Sequence, residues 1–167
     1  KARIAEALKE VIGDDLKAVY DKSSGTAPFK AGLELVDGYL YRKDGFSLSE
    51  LTVLENGRKF IVNWEDGQKT GFFLDQKYNR ELVGRIAKGK RVLDCFTHTG
   101  TFGLNCALKG AERVVSVDIS ALAIEQSKRN AVLNGLEDKI EYVKADVFKY
   151  LDSVKKRILE FIAVKKK

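Results

Sequence analysis

Three aspartates close or follow short β-favouring runs: Asp94 after Val92-Leu93, Asp118 after Val114-Val115-Ser116-Val117, and Asp146 beyond Ile140-Glu141-Tyr142-Val143. A carboxylate offers two acceptor oxygens that match the vicinal hydroxyls of a ribose, so Asp118 is placed to hold a nucleoside by its sugar. Asp94 would repel a pyrophosphate yet attract the α-ammonium of an amino acid. Asp146 can accept a hydrogen bond from an adenine amino group. The loop Asp94-Cys95-Phe96-Thr97-His98-Thr99-Gly100-Thr101-Phe102-Gly103 contains Gly100, where a missing side chain would let a ligand approach the backbone. It lacks the G-x-G-x-x-G spacing that seats a pyrophosphate on a helix N-terminus, so a nucleoside without phosphates is the better ligand. Without a ligand, Asp94, Asp118 and Asp146 read as strand-end or cap carboxylates, and Phe72, Phe73 and Phe102 as core aromatics.

The remaining reactive side chains are few. Cys95 and Cys106 lack metal-ligand spacing and His98 is the single histidine, so no metal site is expected. Cys106 lies in a helical stretch and Cys95 in the loop, where small buried apolar roles outweigh a nucleophilic one. His98 is read as a loop residue serving a hydrogen bond or facing solvent.

The elements that must position these residues follow from periodicity. From Lys88 onward strand and helix alternate. Strands are expected at 92–94, 114–118 and 140–143, and helices from Phe102 to Leu108 and Leu122 to Leu133, with Gly110 and Gly135 as C-terminal stops. Such alternation implies a parallel sheet with crossover helices, which binds ligands outside the carboxyl ends of its strands. Upstream, Ile4, Ala7, Leu8, Val11 and Ile12 recur at helical spacing before Gly13. Short strands are expected at 17–21 and 39–41, with a loop at 23–28 after the first. Asn56-Gly57 between two β-favouring runs predicts a hairpin across 51–64. Asp75 is expected to cap a helix running through Leu82, Val83 and Ile86. At the C-terminus, Val147, Leu151, Val154, Ile158 and Phe161 form a helical stripe, although Phe161 to Val164 also fits the remnant of a strand.

The 167 residues, 44% hydrophobic, suffice for one core and part of a second. The formal charge of +6 suits an anionic partner but falls short of a dedicated nucleic-acid arm. The Lys155-Lys156-Arg157 and Lys165-Lys166-Lys167 clusters are read as a solvated face or frayed tail before an RNA contact. No apolar run approaches a membrane span and the basic start leads into an amphipathic pattern, so no membrane association and a cytoplasmic location are expected. Lys1 is not a natural start residue, and both ends are expected to be cut.

The run Val92 to Phe102 resembles the first motif of class I S-adenosylmethionine-dependent methyltransferases. The upstream run Gly67-Gln68-Lys69-Thr70-Gly71-Phe72-Phe73-Leu74-Asp75-Gln76-Lys77-Tyr78-Asn79-Arg80 is similar to the opening motif of the ribosomal RNA large-subunit methyltransferases that make 5-methylcytosine, and Asn130-Ala131-Val132-Leu133-Asn134-Gly135-Leu136 also matches that family. The resemblance runs from about Val53 to about Leu151. It implies S-adenosylmethionine as cofactor, with Asp94, Phe96, Thr97, Gly100, Thr101 and Phe102 around its methionine part, Asp118 and Ile119 at the ribose, and Asp146 with Val147 along the adenine. Phe73, Asp75 and Arg80 would close the pocket near the methionine carboxylate, where a guanidinium suits a two-oxygen partner.

The implied fold class is α/β: the N-terminal, truncated half of a Rossmann-like class I methyltransferase sheet, preceded by part of a small α+β domain. The expected divisions are 1–50 for the partial small domain, 51–87 for the hairpin and lead-in helix, and 88–167 for the cofactor-binding half. The family's fourth-strand Asp-Pro-Pro loop and later nucleophilic cysteine have no counterpart here, so no catalytic residue is expected in this chain. Carbon 5 of cytosine is a poor nucleophile until a thiolate adds to the ring, hence the expected role is cofactor binding within a larger ribosomal RNA methyltransferase. A truncated sheet edge would also favour self-association. A guanine-specific ribosomal RNA methyltransferase is the alternative within the class. A nucleotide-binding oxidoreductase and a non-catalytic RNA-binding module are the alternatives outside it.

Overall fold

A computed structural model of the chain describes residues 1–25, 35–48 and 50–165, with side chains described through Arg157. Residues 26–28 of the expected loop, and Lys166 and Lys167, lie outside them. The chain forms two compact units, one of residues 1–52 and 62–73 and the other of residues 53–61 and 74–167.

The first unit opens with helix α1 (Ala2–Ile12), which ends at Gly13 with φ +65°. Strands β1 (Ala18–Asp21) and β2 (Gly38–Arg42) pair antiparallel, with the register shifting between Val19 and Tyr20. Lys22 sends its ammonium to the carbonyls of Trp64, Glu65 and Gly67 at 2.6, 2.5 and 2.6 Å, tying the 64–67 turn down through one cation. Tyr39 donates its hydroxyl proton to Glu65, and the Trp64 indole donates to the Tyr39 oxygen at 3.2 Å. Gly67 and Gly71 fold over the carbonyl of Asn63. A Cβ on either would lie 2.2 or 2.1 Å from that oxygen, so the Gly67 to Gly71 spacing is a steric requirement of this turn.

Strands β3 (Glu50–Glu55) and β4 (Arg58–Asn63) form the expected hairpin. Its turn residues Asn56 and Gly57 have φ of 51° and 77°, the positive angles a two-residue type I′ turn requires. The turn-proximal part, residues 53–61, belongs to the second unit and the ends to the first.

In the second unit, α2 (Lys77–Ile86) follows a 3-10 turn at Leu74–Gln76. Asp75 does not cap it. The capping position is Gln76 without a side-chain bond, and Asp75 is exposed and accepts from the Gln76 amide at 2.7 Å. The extra turn moves the helix start two residues beyond the aspartate, out of reach of its first free N–H groups.

Strands β5 (Arg91–Cys95), β6 (Arg113–Asp118) and β7 (Ile140–Lys144) build a parallel sheet in that order. Cys95 aligns with Val117 and Asp118 with Lys144, so the carboxyl ends of the strands stay level. Crossover helices α3 (Thr101–Leu108) and α4 (Ala121–Leu133) connect them. Both end in the same way: the N–H of Gly110 bonds to Ala107 and that of Ala111 to Cys106, while Gly135 bonds to Val132 and Leu136 to Ala131. These are Schellman closures, and the glycines supply the left-handed residue at φ 88° and 65°. Leu104, Cys106, Val114, Val117 and Ala131 are buried to 1% exposure or less and form the core between sheet and helices. Gly84 lets α2 approach α3: a Cβ there would stand 3.1 Å from the Asn105 carbonyl oxygen. The chain closes with α5 (Val147–Lys165), so 161–164 are helical and the strand alternative is excluded.

Candidate functional site

The loop after β5 sits where the sheet's ligand-binding edge is expected. Phe96 and His98 both take the left-handed conformation, at φ 58° and 52°, and Gly100 does so at 76°. Two non-glycine positions of this kind, separated only by Thr97, persist because the surroundings hold them. The Thr97 N–H bonds to the Val117 carbonyl at 3.1 Å and that of Gly100 to Thr97 at 2.9 Å. From α4, Ser127 donates to the His98 carbonyl at 2.9 Å and Asn130 to that of Thr99 at 2.9 Å. A Cβ on Gly100 would meet that of Ser127 at 2.8 Å, so only glycine fits against α4.

Two of the three predicted carboxylates, Asp94 and Asp118, are tied to this one loop. Oδ2 of Asp94 accepts the Thr97 hydroxyl at 2.5 Å, the Gly103 N–H at 3.0 Å and the Ser116 hydroxyl at 3.4 Å. Oδ1 takes no hydrogen bond from the described residues and is left for another donor. Asp118 accepts the His98 N–H at 3.0 Å on Oδ2 and the Ser120 N–H at 2.9 Å on Oδ1, which leaves acceptor capacity on each oxygen. Burial raises the Asp94 carboxyl above its usual range, with the negative charge of Asp118 acting in the same direction. Burial lowers the His98 imidazole, against the opposing pull of Asp118.

Asp146 stands two residues past β7 and caps α5: its Oδ1 accepts the Lys149 N–H at 3.0 Å. One oxygen of this carboxylate therefore has a structural task. Val147 is 2% exposed and belongs to the core, whereas its neighbour Phe148 is 68% exposed. The Phe148 ring meets that of Phe96 edge-on with centroids 5.8 Å apart, and the exposed Ile119 follows Asp118. Phe148 escaped the sequence reading, although its place directly after Asp146-Val147 was a usable signal. Thr101 is buried in the first turn of α3 and Phe102 half-buried beside it.

The upstream residues stand differently. Arg80 is 1% exposed and forks onto Glu55, its Nε donating at 2.8 Å and Nη2 at 2.6 Å. Phe73 belongs to the first unit, where the Lys69 ammonium lies 5.6 Å from its ring centre.

Burial pushes the Cys106 thiol up to about 11 and raises Cys95 as well, with Asp94 adding to both, so neither is a thiolate at neutral pH. Among the described residues no group of three or more His, Cys, Asp or Glu gathers to hold a metal, and no helix is long and apolar enough to cross a membrane. A cavity of about 710 Å³ lies between α5 and the sheet, lined by Arg91, Leu93, Arg113, Val115, Tyr150 and Val154 among others. It contains none of the carboxylates above and is a separate feature.

Residues 32–163 match the family model of S-adenosylmethionine-dependent methyltransferases. Among curated proteins, "Ribosomal RNA large subunit methyltransferase I" of Shewanella amazonensis is 43% identical over 149 residues, which is 87% of this chain and 37% of that protein. The chain thus spans little more than a third of this relative's length. Among solved structures, SMU.776 complexed with SAH aligns with a TM-score of 0.66 at 33% identity, covering 73% of this chain and 32% of that one. The SAM-dependent methyltransferase of Agrobacterium tumefaciens shares the fold, with a TM-score of 0.72 at 24% identity over 89% of this chain and 45% of its own. With a parallel α/β sheet, acidic residues at its strand ends and a family match over most of its length, this chain belongs to the S-adenosylmethionine-dependent methyltransferases.

Proposed function

We propose that the second unit binds S-adenosylmethionine at the carboxyl ends of β5, β6 and β7, within a protein that methylates large-subunit ribosomal RNA. The observation that carries this reading is the attachment of Asp94 and Asp118 to one loop, each with acceptor capacity left over. Asp118 would take the ribose hydroxyls, with Ile119 beside the sugar, and the free Oδ1 of Asp94 would take the α-ammonium. Phe96, Thr97, Gly100, Thr101 and Phe102 would surround the methionine part, while Asp146 and Val147 would lie along the adenine. Bound there, the cofactor would supply an electrophilic methyl group on its sulfonium.

The protein's own residues orient and shield. The His98 and Ser120 N–H groups keep Asp118 in place, and the exposed rings of Phe96 and Phe148 meet edge-on and would offer apolar surface to the ligand. Phe73, Asp75 and Arg80 are retained as residues near the methionine carboxylate. For Arg80 this role requires that the guanidinium serve Glu55 and the ligand together.

The relative's name supports ribosomal RNA as substrate, and cytosine carbon 5 is the target we favour. That chemistry needs a thiolate to activate the ring, and the raised thiols of Cys95 and Cys106 do not suit it. The nucleophile would therefore lie in sequence beyond this chain, and the chain's contribution is cofactor binding. A cytoplasmic location accompanies a ribosomal RNA substrate.

Calorimetry of the chain with S-adenosylhomocysteine and with NAD tests the ligand class. Heat from S-adenosylhomocysteine and none from NAD is expected, and the reverse would overturn the reading. Asp118→Ala should weaken S-adenosylhomocysteine by about 1–3 kcal/mol through loss of charge-assisted hydrogen bonds. Unchanged affinity in the folded variant would remove Asp118 from the ribose.

A further inference from the structure

The polar face of α4 joins two features that are remote in sequence. Gln126, Asn130 and Asn134 recur every fourth residue, one helical turn apart, and meet residues 59 and 61 of β4, which are spaced along a strand by a similar distance. Asn134 accepts the Lys59 N–H at 3.1 Å and donates to its carbonyl at 2.8 Å. Asn130 accepts the Ile61 N–H at 2.8 Å, and Gln126 donates to the Ile61 carbonyl at 3.0 Å. Helix side chains thus satisfy a strand edge as a neighbouring strand would.

Asn130 does more than pair the edge. It is 0% exposed, and while its Oδ1 serves Ile61 its Nδ2 donates to Thr99 at 2.9 Å. A reversed amide would set N–H against N–H and oxygen against oxygen, so one orientation alone satisfies both contacts. Thr99 lies between His98, whose N–H holds Asp118, and Gly100, which stands at the N-cap of α3. Ser127, one turn earlier, reaches the His98 carbonyl at 2.9 Å with a hydroxyl proton that it shares with the Ala123 carbonyl at 2.8 Å.

We infer that Asn130, assisted by Ser127, is a positioning residue that fixes the 97–100 loop for cofactor binding and ties it to the β3–β4 hairpin. This rests on the loop being the cofactor site. Asn134 holds the same strand but has no bond to the loop, which makes it the structural control.

The test compares N130D with N134D in the full chain, measuring S-adenosylhomocysteine affinity by calorimetry across pH. Both should lose thermal stability, since each trades an amide donor for a carboxylate. N134D should bind within about twofold of the parent, whereas N130D should bind about tenfold more weakly at neutral pH. On acidification the N130D deficit, taken as a ratio to the parent, should shrink. A protonated carboxyl donates to Thr99 and still accepts from Ile61, as the amide does, while the nearby Asp94, Asp118 and His98 are common to both proteins and the ratio removes their shared effect. N130D affinity equal to that of N134D, or a deficit independent of pH, overturns the inference.

Should N130D fail to fold, S127A takes its place: weaker binding than N134D supports the inference, and equal binding overturns it. If the parent chain binds no S-adenosylhomocysteine, it is the cofactor reading that has failed. Amide hydrogen exchange of the 96–103 segment without ligand then decides the positioning claim. Faster exchange in N130D than in N134D sustains it, and equal exchange refutes it.

Discussion

Asp94 is a buried carboxylate that the fold holds at a cost. Three donors on Oδ2 favour its anion, yet burial outweighs them and its pKa is raised. With the folded pKa above the unfolded one, this group's stabilising contribution is complete at low pH and is lost as pH rises through the folded pKa. Asp94→Asn can keep its amide oxygen at the Oδ2 position and carries no charge to desolvate. Its Tm should therefore exceed the parent's at neutral pH, with the gap closing as pH falls below the ordinary carboxylate range, while S-adenosylhomocysteine binding weakens. A melting series in which the variant is less stable at neutral pH would contradict this. The sequence displayed Asp94 and Asp118 because a strand followed by an acid is a local pattern. The Arg80–Glu55 fork joins residues far apart in the chain, so neither partner advertised it. Phe148 was marked only by its place after Asp146-Val147, since at helical spacing an aromatic beside a valine does not show which of the two faces outward.

The elements were legible where local chemistry decides them. Asn56-Gly57 set the hairpin, Gly110 and Gly135 closed α3 and α4, and alternation fixed the parallel sheet. The start of α2 was misread because a 3-10 turn intervenes, and nothing in Leu74-Asp75-Gln76 distinguishes that turn from a first helical turn. The bonding of α4 to the β4 edge was equally invisible, since amide side chains on a helix ordinarily face water. Gly67 and Gly71 stood out as a motif, and the structure supplies the cause in the Asn63 carbonyl beneath them. Gly67→Ala must push backbone against backbone and should cost about 1–3 kcal/mol in urea unfolding. A variant as stable as the parent would show that the turn relaxes freely.

At the scale of the molecule, the parallel sheet has three strands among the described residues and ends at β5 on one side and β7 on the other. Unpaired N–H and C=O groups along such edges favour pairing with another chain. We expect the mass from light scattering to rise with protein concentration, and a monomer at all concentrations would oppose this. The two compact units follow neither the length of the chain nor its composition, because the division passes through the hairpin, whose two ends fall in different units. A division that passes through a hairpin is beyond a reading of local patterns.

A crystal structure of this chain with S-adenosylhomocysteine would decide whether Asp94 and Asp118 hold the cofactor. The ribose hydroxyls are expected within about 3 Å of the Asp118 carboxylate and the α-ammonium beside Asp94 Oδ1. A nucleoside bound in the cavity beneath α5, or anywhere that leaves both carboxylates untouched, would contradict it.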